Sequence, residues 1–296
     1  RVEERDAAPL ADDLARIRAV DSVEGLVRLM GDLGRHGTPG LVAWFVDNDG
    51  DDATRYVVNL VQAGLGLPDE AYYREDAHAE VRDAYVEHVA TVLASVEEPD
   101  AADAAERVMA LETAIAAAHW DAVASRDAIK THNKRTRTEL DDLAPGFAWD
   151  AWLDGLAAPD DAFAEVVVRQ PEAIEAAGRL LGEVPLAHWR AWLTFHHVRA
   201  AAPYLSSRFV EASFAFYGTR LSGVPELRER WKRGVQVVEA AMGEAVGRLY
   251  VARHFPPEHK AQISRLVDWL IEAYRARIAD LAWMSPETRE RALEKL

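Results

Sequence analysis

Residues 230–296 read RWKRGVQVVEAAMGEAVGRLYVARHFPPEHKAQISRLVDWLIEAYRARIADLAWMSPETRERALEKL, and this stretch decides the fold class. Apolar residues recur in it at steps of three and four, which is the spacing of one face of an α-helix. Pro256 and Pro257 interrupt the pattern, and Ser285 begins a new segment as an N-cap ahead of Pro286. The stretch therefore predicts three consecutive helices.

The second of these helices is predicted over residues 257–283, because its apolar positions continue without a break from Ile263 to Leu281. At about 1.5 Å per residue it is roughly 35–40 Å long. A stripe of this length indicates a core element. We therefore expect Leu270 and Ile271, in the middle of the stripe, to be fully buried.

Most of the remaining chain shows the same helical spacing. Two helices are expected within residues 1–36, divided near Asp21-Ser22, where either side chain can cap the second helix. Further helices are expected over residues 171–181 and 186–201. No internal repeat and no low-complexity linker divides the sequence.

One region has the period of a strand. The turn signal Asn48-Asp49-Gly50 lies between two runs rich in β-branched and aromatic residues, which predicts a hairpin near residues 41–62. Residues 163–168 fit either a strand or the start of a helix. The expected fold is therefore mainly α, a single multi-helix lobe over residues 1–296 with at most one small β-hairpin.

The composition excludes several classes of protein. Of 296 residues, 49% are hydrophobic, which is enough for a sizeable core, and no apolar run approaches the roughly 18 residues of a membrane span. Cysteine is absent, so disulfides, thiolate zinc sites and thiol nucleophiles are excluded. The sequence starts at Arg1 without a visible signal peptide, which leaves the compartment open, with the cytoplasm favoured over secretion.

The charge is strongly negative and unevenly placed. The net charge is −16, and residues 1–160 carry 33 acidic against 15 basic side chains, a balance of −18. Residues 161–296 carry 17 against 19, a balance of +2. An acidic half repels phosphate groups, so we expect no nucleic-acid partner.

No local motif carries chemistry. A zinc peptidase of the H-E-x-x-H type needs two histidines one helical turn apart with a glutamate between them, and none of the ten histidines is followed by Glu. His188, His196 and His197 share one predicted helix, but that helix carries no carboxylate, so packing and hydrogen bonding are favoured over a metal site. We therefore predict no catalytic, cofactor-binding or metal-binding residue in this chain.

The acidic turn over residues 47–52 invites comparison with a calcium loop. An EF-hand loop needs Gly at its sixth position and a bidentate Glu at its twelfth. Here Gly50 is fourth and Val58 is twelfth, so a solvated turn is favoured.

Spaced residues on the three carboxy-terminal helices carry a resemblance to a known family. They are Trp231, Gly243-Glu244-Ala245-Val246-Gly247, Leu249-Tyr250-Val251, Phe255, Lys260, Trp283-Met284, Thr288, Ala292 and Lys295-Leu296. Upstream, GLGLPDEAYY at residues 64–73 and the spaced Glu112, Ile115-Ala116, Arg126-Asp127 and Asn133 belong to the same pattern. In these positions the chain resembles the neprilysin family of zinc metallopeptidases, which includes endothelin-converting enzymes and bacterial oligopeptidases.

The resemblance implies a function for the parent protein. It implies that this chain is the amino-terminal helical lobe, a lid and scaffold, of a zinc endopeptidase that hydrolyses oligopeptides. The zinc and its ligands would then lie beyond residue 296, in a carboxy-terminal catalytic lobe that is the partner of this one. On this interpretation the chain alone is inactive, holds no cofactor, and leaves exposed the large apolar surface on which the catalytic lobe packs.

Two alternatives stay open. The first is a freestanding helical module that binds peptides or proteins without catalysis. The second is a small helical metalloenzyme that uses the histidines described above, although their spacing does not suit one metal ion.

Overall fold

The computed structural model describes residues 1–296, which fall into two compact units, Arg1–Leu227 (unit 1) and Arg228–Leu296 (unit 2). The α-helices of unit 1 are α1 Val2–Arg5, α2 Ala11–Ala19, α3 Val23–Arg35, α4 Ala71–Arg74, α5 Ala79–Ala94, α6 Ala101–Ala116, α7 Arg137–Leu143, α8 Trp149–Leu156, α9 Pro171–Glu183, α10 Leu186–Ala201 and α11 Ser207–Ser213. Those of unit 2 are α12 Arg230–His254, α13 Pro257–Ala279 and α14 Pro286–Lys295. The expected mainly α class is confirmed, whereas the single lobe over residues 1–296 stays a prediction.

A small sheet in unit 1 contains the expected hairpin. Its strands are β1 Val42–Asn48, β2 Tyr56–Gln62, β3 Lys134–Thr136 and β4 Glu165–Val168, in the order β1-β2-β4-β3. β1 and β2 pair antiparallel, β2 and β4 pair parallel, and β3 and β4 pair antiparallel. The sheet is therefore larger than one hairpin, because the ambiguous run at 163–168 forms β4, whose valines are buried beside β2.

The core of unit 1 is arranged around α10. Trp189, Trp192 and Phe195 on this helix are all completely buried, and α10 packs against α2, α3, α5 and α6. A helix with neighbours on several sides is apolar around most of its circumference rather than along one stripe. Further helices pack on this inner layer, as α8 does on α3 and α9 on α6.

The expected division near Asp21-Ser22 is confirmed. The Ser22 hydroxyl accepts a hydrogen bond from the backbone N–H of Gly25 at 3.2 Å and so caps α3. Ahead of this helix lie α2 and the short additional helix α1.

Helices α3 and α8 make an unusually close contact through two glycines. A Cβ atom on Gly31 would lie 2.4 Å from the Trp152 carbonyl oxygen, and one on Gly155 would lie 2.0 Å from the Arg28 carbonyl oxygen. Both obstacles are backbone atoms, which cannot rotate away as a side chain would. The close approach of α3 and α8 therefore requires glycine at both positions.

We predict that Gly155→Ala lowers the free energy of unfolding by about 1–3 kcal/mol, because the two helices must move apart. Gly182→Ala is the matched control, since Gly182 lies in helix α9 with open space around it. There the same substitution should stabilise the protein by about 0.5 kcal/mol through the loss of unfolded-state freedom. Urea unfolding of both variants checks the pair, and equal effects would contradict the close contact.

Unit 2 contains no buried residue on any of its three helices. α12 has non-helical backbone angles at Met242, and the Ser285 hydroxyl accepts a hydrogen bond from the Thr288 N–H and so caps α14 as expected. Although α12 and α13 have 25 and 23 residues, no helix of the structure is apolar enough over its length to cross a membrane.

The expectation for the second long helix needs correction. It ends at Ala279 rather than at residue 283, Leu270 is 49% exposed, and Ile271 is only half-buried. Periodic spacing correctly predicted the helix and its apolar stripe, but spacing cannot show what covers the stripe. The other helices of unit 2 leave Leu270 exposed.

Candidate functional site

The carboxylate of Glu112 is the centre of a buried polar network in unit 1. It lies on α6 with no exposed surface. Its Oε2 accepts hydrogen bonds from the Tyr73 hydroxyl at 2.5 Å, the Tyr85 hydroxyl at 2.9 Å and the Gly66 N–H at 3.1 Å. Its Oε1 lies 2.8 Å from His196 Nε2. Four donors thus compensate the loss of hydration of one buried carboxylate.

The donors come from separate segments of the chain. Tyr73 is on α4, Tyr85 on α5 and His196 on α10, while Gly66 belongs to the loop between β2 and α4. A Cβ atom on Gly66 would lie 1.8 Å from the Tyr85 hydroxyl oxygen, so only glycine fits there. The network therefore fixes three helices and one loop relative to α6.

Further hydrogen bonds hold the loop in place. The Trp192 indole Nε1–H donates to the Gly64 carbonyl oxygen at 3.0 Å, and the Tyr217 hydroxyl donates to the Gly66 carbonyl oxygen at 3.1 Å. Tyr217 belongs to a π-helical turn, Phe214–Leu221, and the Arg199 guanidinium lies 4.7 Å from the centre of its ring. The loop backbone is thus bound from both sides.

The protonation states suit this arrangement. Burial, with the Glu112 charge beside it, raises the pKa of Tyr73 and of Tyr85, so both phenols keep the protons that they donate. Burial lowers the pKa of His196, against the opposing effect of Glu112, and His196 Nδ1 is buried without a hydrogen-bond partner. A neutral imidazole with its proton on Nε2 satisfies these contacts. Because no atom of the carboxylate reaches solvent, the network positions the fold rather than binding a substrate.

We predict that Glu112→Gln costs about 3–5 kcal/mol of stability, because the amide brings two N–H groups to a site that already contains four donors. Glu106→Gln, at an exposed position of the same helix, is the matched control and should change stability by less than about 0.5 kcal/mol. Chemical unfolding followed by circular dichroism measures both. A loss below about 1 kcal/mol at Glu112 would contradict the four-donor arrangement.

Other histidines of unit 1 are buried without a charged partner that compensates their protonation. Burial first, and the nearby Arg199 charge second, lower the pKa of His88 to about 4, and burial lowers the pKa of His119 to about 4. The His88 ring stacks on Phe216 with ring centres 5.0 Å apart, and its Nε2 has no hydrogen-bond partner. In the folded state these imidazoles stay neutral over a pH range in which the unfolded chain is protonated.

We predict that His88→Phe removes part of the acid sensitivity of unit 1. A depressed histidine pKa contributes full stability above about pH 6.5, the unfolded value, and its contribution falls as the pH drops towards about 4, by about 1.4 kcal/mol per pH unit. Phenylalanine keeps the ring stack but cannot be protonated. The free energy of unfolding of the variant, minus that of the original chain, should therefore be about 2 kcal/mol larger at pH 5 than at pH 7. Urea unfolding at the two pH values checks this, and parallel pH curves would contradict it.

The three histidines of α10 do not converge on one point. His196 contacts Glu112, His197 Nδ1 lies 2.9 Å from the Thr38 hydroxyl, and His188 lies near the start of the helix. The structure contains no group of three or more His, Cys, Asp or Glu residues that could hold a metal ion. The residues of this chain therefore do not fit a catalytic zinc, which needs three converging ligands.

The acidic turn of the hairpin is bound by a lysine. Lys134 Nζ lies 2.7 Å from the Asp49 carboxylate and 2.8 Å from that of Asp51, and His132 Nε2 lies 3.1 Å from Asp51. Hydrogen bonds from Lys134 lower the pKa of both carboxylates. The turn is therefore an ion-paired connection to β3, and Asp49 is buried within a turn whose other carboxylates are exposed.

A second candidate site is the exposed apolar face of unit 2. Its large side chains are at least about two-fifths exposed, and we call them the unit 2 apolar surface. On α12 and α13 they are Trp231, Val235, Val238, Met242, Leu249, Tyr250, Ile263, Leu266, Val267, Leu270 and Tyr274. Monomeric soluble proteins seldom expose so many large apolar side chains on adjoining segments, so this surface indicates an interface.

The Glu112 network was not predicted as a unit. Its signal in the sequence is a glutamate within the apolar stripe of α6, next to Leu111 and three residues before Ile115. A carboxylate in a core position requires partners, but nothing in the spacing tells which. Helix α10, which carries the three histidines, contains no carboxylate of its own, and α6 supplies one to His196 instead.

A known protein family matches the whole chain, including the segments that form the Glu112 network. The amino-terminal model of peptidase family M13 matches residues 1–296, so the chain belongs to peptidase family M13. This places the loop at residues 64–73 and Glu112, which meet in the buried network, within the amino-terminal part of that family.

The relatives are considerably longer than this chain. Endothelin-converting enzyme 1 of Homo sapiens is 25% identical over all of this chain and 40% of its own length. Neutral endopeptidase of Lactococcus lactis subsp. cremoris is 24% identical over 99% of this chain and 47% of its own length. The crystal structure of Mycobacterium tuberculosis zinc metalloprotease ZMP1 with an inhibitor is 44% identical, with a TM-score of 0.93 over 99% of this chain and 44% of that protein. The chain thus spans less than half the length of these relatives.

Proposed function

We propose that residues 1–296 form the lid and scaffold lobe of a zinc endopeptidase that hydrolyses oligopeptides. The catalytic lobe is then the remaining, carboxy-terminal portion of the protein, and it packs on the unit 2 apolar surface. This portion holds the zinc, which supplies a Lewis acid and an activated water when bound there. The present chain contributes walls that limit the size of the peptides admitted.

The observation that carries the proposal is the state of α12 and α13. Most helical stability in proteins comes from the packing of an apolar face rather than from the intrinsic propensity of the helix. Here two helices of 25 and 23 residues bury no residue at all. They need a partner whose surface covers them along their length.

Family membership supports the identity of that partner. More than half of the length of relatives such as endothelin-converting enzyme 1 lies outside the matched region. A further lobe of the same protein is therefore available as the cover. ZMP1 is described as a zinc metalloprotease, which supports zinc-dependent peptide hydrolysis by the parent of this chain.

We predict that purified residues 1–296 cleave no peptide and bind zinc only without a defined stoichiometry, because no three ligands converge. Adding or co-expressing the carboxy-terminal portion should restore zinc retention after dialysis and chelator-sensitive cleavage of an unstructured peptide. Zinc analysis and a fluorogenic peptide assay measure both. One equivalent of zinc together with cleavage by the chain alone would overturn the proposal.

A variant pair tests the interface itself. Leu270→Asp places a charge in the unit 2 apolar surface and should abolish the restoration, since an unpaired charge in an apolar interface is strongly unfavourable. Glu272→Gln, two residues further along α13 and therefore on the opposite side of the helix, should leave it unchanged. Equal activity of both variants would place the interface elsewhere.

The coding sequence after Leu296 distinguishes the peptidase lobe from the alternative, a freestanding binding module. An H-E-x-x-H motif in the few hundred codons after Leu296 supports the peptidase, because that spacing holds a zinc and its general base on one helix. A stop codon directly after Leu296 supports the binding module.

A further inference from the structure

Strand β1 lies at the edge of the sheet and is exposed on both faces. Only β2 pairs with it, and every residue of the strand after Val42 is exposed. Trp44, Phe45 and Val46 are 44%, 40% and 56% exposed. Proteins usually protect such an edge with Pro, Lys, a bulge or a covering segment, because its free backbone groups bind other strands. β1 contains neither Pro nor Lys, its one charged residue, Asp47, lies near its end, and its pairing with β2 continues over seven residues without a bulge.

The free backbone groups of β1 can be assigned. Leu60 of β2, which lies opposite Trp44, accepts a hydrogen bond from the Arg169 N–H just after β4, so the backbone groups of Leu60 face β4. Backbone groups of consecutive residues point to alternate sides of a strand, so Trp44 and Val46 direct their N–H and C=O groups away from β2. The outer edge thus offers two donors and two acceptors at the spacing of an antiparallel partner.

A partly open cavity with a mixed lining adjoins this edge, and Thr38 and Pro39 contribute to it together with apolar side chains. It has a volume of about 270 Å³ and is lined by Met30, Val42, Trp44, Trp152 and Leu156, among others. Val42, Trp44 and Val46 alternate on one face of the strand, and the cavity opens beside the first two of them. A side chain on that face of an added strand would reach it.

The charge at the far end of β1 is negative. Asp47 and Asp52 are exposed, and neither forms an ion pair, whereas Asp49 and Asp51 are both occupied by Lys134. Residues 1–160 have a balance of −18, so a second copy of this chain would bring like charge to the edge. The charge and the free edge together favour a cationic strand from another source.

We propose that β1 binds an extended cationic peptide segment as an additional antiparallel strand. Opposite-charge pairs across neighbouring strands are favourable, so a basic residue of the peptide lies opposite Asp47. The next residue then exchanges both backbone hydrogen bonds with Val46, and the residue two further on does so with Trp44. An apolar side chain at the latter position, or two residues after it, enters the cavity. From its amino-terminal end, the peptide therefore carries a basic residue, then an apolar residue, and then two further apolar residues at alternate positions, with any residue in between.

This inference does not rest on the proposed peptidase function, because strand addition needs neither zinc nor the catalytic lobe. The probe is a fluorescently labelled peptide, Ser-Arg-Val-Thr-Leu-Thr-Val-Ser, titrated with residues 1–296 and followed by fluorescence anisotropy. In the proposed register the first Val and the Leu direct their N–H groups towards β1. Both Thr residues direct theirs away from it.

Two N-methylated forms of this peptide, one modified at inward and one at outward backbone nitrogens, test the proposed register. Methylating the backbone nitrogens of the first Val and the Leu should weaken binding at least about tenfold, since two hydrogen bonds are lost. Methylating those of the two Thr residues should weaken it by less than about twofold, because those groups face outwards. Equal effects of the two modifications, or no saturable binding of the unmodified peptide, would overturn the proposal.

Substitutions in β1 test the same contact by changing the protein instead of the peptide. Val46→Pro removes an outward N–H without touching the β1–β2 ladder and should weaken binding at least about fivefold, with an unchanged circular dichroism spectrum as the check on folding. Asp47→Lys, at an exposed site, should weaken binding about threefold and reverse the preference when the peptide Arg is replaced by Glu. Concentration-dependent self-association of the chain that Val46→Pro abolishes, without peptide binding, would assign the edge to a second copy and overturn the proposal.

Discussion

The burial of one carboxylate constrains the arrangement of unit 1. Removing Glu112 from water is costly unless donors replace its hydration, and four donors from separate segments do so. Each donor must arrive within hydrogen-bond distance, so α4, α5, α10 and the loop at residues 64–67 cannot move independently of α6. A core of apolar side chains tolerates small shifts, whereas a hydrogen-bonded carboxylate does not. The network thus selects one packing of these helices among several of similar apolar area.

The two units obtain their stability in different ways. Unit 1 has a core of its own around α10, where Trp189, Trp192 and Phe195 are completely buried. Unit 2 has long helices and no core, since none of its residues is buried. Apolar burial is the main favourable contribution to folding, and unit 2 has no such core of its own. This difference explains why similar apolar stripes lead to different burial in the two units.

Local pattern in the sequence was sufficient for much of the fold. Helical spacing predicted α10 with its observed bounds, and capping chemistry predicted that Ser22 and Ser285 begin helices. The turn signal predicted the hairpin. What it missed depends on segments far apart in the chain. β4 forms through parallel pairing of Val58 with Val166, and the Glu112 network joins residues from 66 to 196. No local rule specifies such partners, and none shows that the stripe around Leu270 is uncovered.

Both proposed binding surfaces consist of groups that have no partner within their own sheet or helical unit. In the interior of unit 1 a buried ionisable group such as Glu112 has its donors, and at the hairpin turn Lys134 neutralises Asp49 and Asp51. The outward backbone groups of β1 have no partner strand, and the large apolar side chains of α12 and α13 are exposed. The two surfaces differ in chemistry, since the first offers directional hydrogen bonds and the second offers only apolar area. The first therefore selects an extended backbone of defined register, while the second selects a large complementary surface such as another lobe.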